Sequence, residues 1–350
     1  MSIVFITGSL GLIGFESTVY YLKNGYHVVG VDNDFRAKAL KISSNYNQKY
    51  MYLQKHFSSR YIHNNFDIRN TIKLDSLIKK HSNNVTLIIH TAAQTSHDWS
   101  KEHPLIDYSI NAFATIHLLE AYRKYAPKAI FIFTSTNKVY GNLVNSLPLK
   151  EHKTRYDLSK DNQYYYGIDE KMSLDQSTHS IFGVSKLSAD LLVQEYSRYY
   201  GLKTCIFRLG VVTGPSQAGS IQQGFLSYLL GKAKKDKCIP IIGYKGKQVR
   251  DVIHVKDVVQ AFDYFYKAPT KTNVFNLGGG RKNSVSLLEI LEKMTQSYGN
   301  KVKTINIATP RQGDHKWWIS DTNLFRRHYP TWEATYSSDE IIKDIYEHLI

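Results

Sequence analysis

The feature that most constrains this chain lies at its start. The apolar run Ser2-Ile3-Val4-Phe5-Ile6 reads as a strand and leads directly into Thr7-Gly8-Ser9-Leu10-Gly11-Leu12-Ile13-Gly14, which opens a helix over 12–23. Glycines at such a junction permit a tight turn, bring backbone N–H groups close to a pyrophosphate, and let the helix pack closely on the strand. A second strand, over 26–31, is followed by Asp32, 18 residues after Gly14. A carboxylate there accepts hydrogen bonds from adenosine ribose hydroxyls and repels a 2′-phosphate. The constellation therefore predicts NAD in preference to NADP, with Arg36 as the one nearby feature that favours the phosphate.

Strand and helix patterns keep alternating to about residue 208. Strands are expected over 61–66, 85–90, 129–133 and 204–209, and helices over 71–80, 105–125 and 185–200. This order predicts an α/β fold, a Rossmann-type doubly wound parallel sheet with ligands beyond the carboxyl ends of its strands. Two polar connections interrupt it, 33–60 and the insert 142–180, and connections of that length usually carry function. Beyond 210 the pattern is irregular, with helices near 225–233, 257–266, 287–294 and 338–348. The expected domains are an NAD-binding domain over 1–210 and a smaller C-terminal substrate-binding lobe over 211–350, with some chain crossing back.

Composition narrows the function classes. With 42% hydrophobic and 21% charged residues the chain can bury a core, so wholesale disorder is excluded. No apolar run is long enough to span a bilayer, and the N-terminus lacks the pattern of a signal peptide, so the cytoplasm is the expected compartment. Cys205 and Cys238 can frame no disulfide network, and no His, Cys or acidic cluster has metal-ligand spacing. The charge of +15 comes from scattered residues; pairs such as Lys79-Lys80 and Arg326-Arg327 never grow into a tract. That pattern suits a basic surface that draws in phosphates rather than a nucleic-acid or membrane interface. Of the 14 histidines, His90, His97, His179 and His254 fall near the expected cleft, His254 reading as a hydrogen-bonded core residue.

The spacing Gly-x-x-Gly-x-x-Gly resembles the extended short-chain dehydrogenase/reductases. Further stretches in the same order add to it: Phe66-Asp67-Ile68-Arg69, His90-Thr91-Ala92-Ala93-Gln94, Ser135-Thr136-Asn137-Lys138-Val139-Tyr140-Gly141, Gln248-Val249-Arg250-Asp251 and Pro310-Arg311-Gln312-Gly313-Asp314. Within that family the Ser135–Gly141 string and the insert residues Lys153-Thr154-Arg155-Tyr156 most resemble the CDP-paratose 2-epimerases, also called CDP-tyvelose epimerases. The resemblance implies an NAD-dependent epimerase acting on a nucleotide-diphospho-sugar through a keto intermediate. It places the cofactor against Gly8, Gly11, Leu12, Ile13, Gly14, Asp32, Asn33, Arg36, Asp67, Ile68, Thr91, Ala92, Ala93, Gln94, Asn111, Thr134, Lys186 and Leu209. It places the sugar nucleotide against Gln94, Thr136, Asn137, Lys138, Gln223, Phe225, Arg250 and Arg311. The two arginines suit a diphosphate because a guanidinium fork matches two phosphate oxygens. It also implies a homodimer or homotetramer, because family members often pair the helices over 105–125 and 185–200 into a four-helix interface.

The reaction needs a hydroxyl on the substrate oxygen, a phenol to take its proton, and a lysine that lowers the phenol pKa and holds the nicotinamide ribose. Thr136 and Lys186 fit the first and last. The family's Tyr-x-x-x-Lys reads here Phe182-Gly183-Val184-Ser185-Lys186, so the ring is kept and the proton carrier is lost. Three explanations stand side by side: a base moved to His179, Tyr140 or the run Tyr164–Tyr166; a crippled variant; or a non-catalytic binder of NAD and sugar nucleotides. Asn137-Lys138 stands where the family's 4,6-dehydratases carry Asp-Glu, which disfavours dehydration. Epimerisation at C4 is a further alternative.

Overall fold

The computed structural model describes residues 2–220, 224–235, 238–299, 303–310 and 313–348. Its elements begin with β1 (Ile3–Thr7), α1 (Leu12–Lys23), β2 (His27–Val31), α2 (Phe35–Leu40), α3 (Tyr46–Phe57), β3 (Tyr61–Asn64), α4 (Thr71–His81) and β4 (Val85–His90). There follow α5 (His97–Glu102), α6 (Pro104–Tyr108), α7 (Ala114–Tyr125), β5 (Ile130–Thr136), the two-residue strands β6 (Lys150–Glu151) and β7 (Tyr156–Asp157), α8 (Ile181–Tyr200), β8 (Thr204–Leu209) and β9 (Val211–Thr213). The remainder comprises α9 (Phe225–Lys234), β10 (Ile239–Ile242), β11 (Val249–His254), α10 (Val255–Lys267), β12 (Val274–Leu277), β13 (Ser284–Ser286), α11 (Leu287–Tyr298), β14 (Thr304–Ile307), β15 (Trp317–Trp318), α12 (Asn323–His328) and α13 (Ser338–His348).

Seven strands form one sheet in the order β12-β8-β5-β4-β1-β2-β3. β1 pairs in parallel with both β2 and β4, so the strand order reverses at β1. Thr7 stands opposite Val31 on one side and His90 on the other, which brings three strand ends into line at that reversal. Such a switch point is where doubly wound sheets bind their ligands. The strands read as nearly unbroken apolar runs because both faces are buried: Val4, Ile6, Val28 and Ile132 are fully buried on one, and on the other Phe5, Val29, Ile88, Phe131 and Phe133 pack with Leu118, Leu119, Tyr122 and Val193 from the helices.

Packing divides the chain into two compact units. The first takes Met1–Thr136, Ile181–Phe207 and Val259–Val274; the second takes Asn137–Ser180, Arg208–Val258 and Phe275–Ile350. The units thus interleave along the chain, and the 142–180 insert clusters with the second. That insert is tied down by charge: Arg155 donates from Nε and Nη2 to the two carboxylate oxygens of Glu289 at 2.8 and 2.6 Å. Arg281 grips Asp157 in the same way at 2.7 Å twice. The second unit's core joins Leu226, Leu230, Ile239, Val285, Ile290, Ile341 and Ile345.

Two expectations about local structure need correction. The polar connection over 33–60 holds two helices, α2 and α3. Of the α3 side chains only Lys49 and Leu53 are buried, so its apolar stripe is too thin to read from periodicity. The single helix over 105–125 is instead α6, a π-helical turn at Ser109–Phe113, and α7. π turns concentrate at functional sites, and this one carries Asn111.

Candidate active site

The glycine-rich turn is folded as closely as its glycines allow. Gly8 has φ +70°, and a Cβ there would lie 2.7 Å from the Ala92 nitrogen. A Cβ on Gly14 would lie 2.0 Å from the Gly8 carbonyl oxygen and 2.9 Å from Thr91 Oγ1. Thr91 itself donates its hydroxyl to the Thr7 carbonyl at 2.7 Å, fastening the turn to the end of β4. Gly11 is exposed, and Leu12, Ile13, Ala92 and Ala93 are half-buried around it.

Asp32 sits beneath this turn. Its Oδ2 accepts from Leu10 N and its Oδ1 from Asp34 N, both at 2.9 Å. A carboxylate offers about four acceptor sites, so lone pairs are left for ribose hydroxyls. Burial raises its pKa against those two donors. Lys49, on α3 within the segment expected to be a plain connection, donates to the carbonyls of Leu10 at 3.0 Å and Gly11 at 3.4 Å. Burial brings that lysine down to about 8. Arg36 is half-buried close by, its pKa lowered by burial. Asp67 receives the Arg69 fork and Asn33 Nδ2 at 3.3 Å, and Ile68 is buried beside it. Arg69 holds the Asp67 carboxyl below its usual range, although burial opposes it.

Below the switch point lies a buried neutral histidine. Thr115 donates its hydroxyl to the Asn111 carbonyl at 2.6 Å, so it accepts from His90 Nε2 at 2.9 Å. The other ring nitrogen then accepts from Thr7 Oγ1 at 2.6 Å. Burial, helped by the charge of Lys186, holds His90 down to about 3, so its proton is fixed.

The first unit also carries Thr136, Phe182 and Lys186. Thr136 is the last residue of β5 and half-buried. Lys186 lies one helical turn beyond Phe182 on α8; its Nζ donates to the Thr134 carbonyl at 2.7 Å and lies 4.1 Å from the centre of the Phe133 ring. Burial lowers its pKa to about 7, and Asp190 and Asp107 oppose the shift. Phe182 is 6% exposed, and its ring meets the His97 ring edge to face at 5.0 Å.

A buried polar network fixes these parts to one another. Asp107 accepts from Gln94 Nε2 at 2.6 Å, from Asn111 Nδ2 at 3.3 Å and from Ser185 Oγ at 2.5 Å. Asn111 Oδ1 accepts from the Gln94 backbone at 3.0 Å, and Asn111 Nδ2 also donates to Ser185 Oγ at 3.0 Å. Gln94 and Asn111 therefore commit their side-chain amides to this network. Asp107 and Ser185 are not singled out by sequence: Ser185 fills an unspecified position of the Phe182–Lys186 pattern, no motif marks Asp107, and they are 78 residues apart.

In the second unit Lys138 and Arg250 share one carboxylate. Arg250 Nη2 donates to Asp314 Oδ1 at 2.5 Å, and Lys138 Nζ lies 3.6 Å from the same oxygen. Lys138 also donates to the Gly313 carbonyl at 3.1 Å, and burial brings it down to about 8. His315 is buried there, and its Nε2 donates to the Gly141 carbonyl at 2.7 Å, which fixes the proton on Nε2. Asn137 is buried, and Phe225 opens α9 behind Gly224, whose φ is +75°. Leu209 is buried at the end of β8. Gln223 and Arg311 lie outside the described residues.

Two of the suggested replacement bases are not available as such. Tyr140 is fully buried, donates to Asn276 Oδ1 at 2.8 Å and accepts from Arg208 at 3.0 Å; burial pushes it up to about 12. His179 has Nδ1 3.0 Å from the Ser177 carbonyl and Nε2 2.8 Å from the Val139 carbonyl. In the run Tyr164–Tyr166, the Tyr165 ring lies under the Arg281 guanidinium at 3.8 Å. His254 is a core residue, bonded to Asp344 at 3.0 Å. Among the described residues no cluster of three His, Cys, Asp or Glu could hold a metal, and no helix is long and apolar enough to cross a membrane.

The model of the NAD dependent epimerase/dehydratase family matches residues 4–278. The chain belongs to that family. CDP-paratose 2-epimerase of Salmonella typhi is 31% identical over 98% of this chain and 97% of its own length. A putative UDP-glucose 4-epimerase of Methanocaldococcus jannaschii is 29% identical over 89% of this chain and 87% of its own. Among solved structures, UDP-glucose 4-epimerase from Thermotoga maritima with UDP-glucose superposes with a TM-score of 0.78 at 23% identity, covering 99% of this chain and 98% of that one. A dTDP-glucose 4,6-dehydratase from Bacillus anthracis in complex with NAD gives 0.77 at 22%, covering 99% and 96%. The family's cofactor is NAD, and the turn fits it: its close fold against Thr91 and Ala92 leaves no room for a Cβ at Gly8 or Gly14, and the Asp32 carboxylate, bonded to Leu10 N within the turn, keeps acceptor sites for ribose hydroxyls.

Proposed function

We propose that this family member is a nucleotide-diphospho-sugar epimerase that oxidises one sugar carbon to a transient ketone and reduces it again from the opposite face, most like CDP-paratose 2-epimerase. The observation that carries the reading is the similarity to the Salmonella typhi enzyme along nearly the whole of both chains. Bound NAD supplies the acceptor, and then the donor, of the hydride. Thr136 would hydrogen-bond the reacting oxygen from the end of β5. Lys186, already buried and bonded to the Thr134 carbonyl, would hold the nicotinamide ribose. Lys138 and Arg250 supply two positive charges against the single charge of Asp314, a surplus that suits a diphosphate. An amide and an ammonium at Asn137 and Lys138 offer no acid for eliminating water, which counts against the dehydratase reaction.

Phe182 favours a second reading, a non-catalytic binder of NAD and sugar nucleotides on the same scaffold. Turnover separates the two. The purified chain and its Phe182→Tyr variant are offered a panel of CDP-, UDP- and GDP-sugars, with nicotinamide absorbance and sugar products followed. Epimerised product from a CDP-sugar is expected; silence from both forms across the panel defeats the enzyme reading. A product altered at C4 would move the chain to the 4-epimerases.

We also propose that the chain pairs with a second copy through the helices of its first unit. Leu105 is 85% exposed and Phe113 56%, and on α8 Val184, Leu191 and Tyr199 are exposed as well. Apolar side chains gathered on adjacent helices cost free energy in water and are relieved by a partner.

A further inference from the structure

We propose that His97 carries the proton that Phe182 cannot, so that the base of this site is an imidazole delivered from α5. The inference rests on the epimerase reading above. Its ground is placement: His97 is the side chain whose ring lies edge to face against the Phe182 ring, at 5.0 Å between centres and 68° between planes. Phe182 occupies the position where the family pattern has its phenol, so a group touching this ring stands beside the place where the proton must go. An imidazole is the most common side chain for such transfers because it titrates near neutral pH.

The turn that holds His97 is built for position. Ser96 caps α5, its hydroxyl accepting from Trp99 N at 3.2 Å, and its carbonyl accepts from Gln94 Nε2 at 2.9 Å. The same Gln94 amide donates to Asp107, which is bonded to Ser185, the neighbour of Lys186 on α8. One buried network therefore fixes the residue before His97 relative to the helix that carries Phe182 and Lys186. Of the sites considered from sequence, Tyr140 is bonded to Asn276 and Arg208, the His179 ring lies between two carbonyls, and the Tyr165 ring lies under the Arg281 guanidinium.

The step balances. The substrate O–H bond breaks and a N–H bond forms on the His97 ring. The electron pair left on oxygen would become the second bond of the ketone, with NAD, held at the glycine turn, supplying the acceptor for the C–H pair as hydride. The reverse step returns the hydride and the same proton.

The test uses the full chain with NAD and the sugar nucleotide that the panel identifies, comparing it with His97→Gln, Phe182→Tyr and the double variant. Calorimetry should give each variant the NAD affinity of the unaltered chain. His97→Gln should lower kcat by about a hundredfold or more, the usual worth of a positioned acid–base. The acid limb of kcat/KM should shift between the unaltered chain and the double variant, because the group that must be deprotonated changes from an imidazole to a phenol. The double variant should recover turnover, because a phenol then stands in the family position. Undiminished turnover in His97→Gln overturns the proposal, as does a double variant that binds NAD and stays inactive. Activity that appears only with Phe182→Tyr overturns it too, while sparing the epimerase reading. Silence from both the unaltered chain and Phe182→Tyr brings down that reading and this inference with it.

Discussion

At the scale of single residues, three lysines are withdrawn from water: Lys49 under the glycine turn and Lys186 on α8 are buried, and Lys138 beside Asp314 is half-buried. An ammonium taken from water is costly, and each relieves the cost by donating to backbone carbonyls while its pKa falls. For Lys186 the fall is from 10.5 to about 7. In the window between those values the unfolded chain holds a proton that the folded chain has released, so stability rises with pH there. Below about 7 both states are protonated and the burial cost is fully present. We expect the free energy of unfolding of the NAD-free protein, minus that of Lys186→Met, to increase between about pH 7 and pH 9 in urea titrations. A flat difference would mean that the ammonium keeps its water. Lys49 and Lys138, each at about 8, contribute with the same sign. Asp32 yields a second expectation at this scale. Its carboxylate should make NAD(H) bind more tightly than NADP(H) in calorimetric titration; equal or stronger NADP(H) binding would give the ribose end to Arg36.

At the scale of elements, the junction from β1 to α1 is the most tightly determined piece of the chain. Gly14→Ala should be severe, because its new Cβ would fall 2.0 Å from a backbone oxygen that is held by the Gly11 amide. Overpacking of this kind costs about 1–3 kcal/mol, and displacing the Gly8 carbonyl also spoils the turn meant for the pyrophosphate. Both a lower unfolding temperature and weaker NAD binding are expected, measured by thermal melting and calorimetry. NAD affinity equal to that of the unaltered chain would place the cofactor elsewhere. The π-helical turn between α6 and α7 belongs to the same scale. It turns Asn111 inward, where the side chain reaches Gln94, Asp107 and Ser185 together.

At the scale of the whole molecule, the exposed apolar side chains of α6, the π-helical turn and α8 bear on assembly. Light scattering should give a mass of at least twice the 40.3 kDa of one chain. Replacing Phe113 and Leu191 by aspartate should shift the protein to monomer without unfolding it, since both side chains already face solvent. A mass of one chain for the unaltered protein at micromolar concentration would leave those helices without their expected partner. The basic character also belongs here. A net charge of +15 raises the local concentration of anions, so a sugar nucleotide should associate faster at low ionic strength than at high.

The sequence by itself determined what local periodicity and backbone sterics can encode. The glycines of the first turn, Asp32 after β2, the alternation of strand and helix to residue 208, and Thr136 at the end of its strand all follow from neighbours a few residues apart. The missing phenol at Phe182 was legible in the same way, as one letter in a short pattern. Only the tertiary structure decided what is held together by contacts distant in the chain. Lys49 reached the glycine turn from a helix whose thin apolar stripe reads as a polar connection. Asp107 met Ser185, Asp314 took both Lys138 and Arg250, and His97 came to rest on Phe182. Each of those meetings joins residues more than 35 positions apart, and no local spacing records a contact that only the packing of separate elements creates.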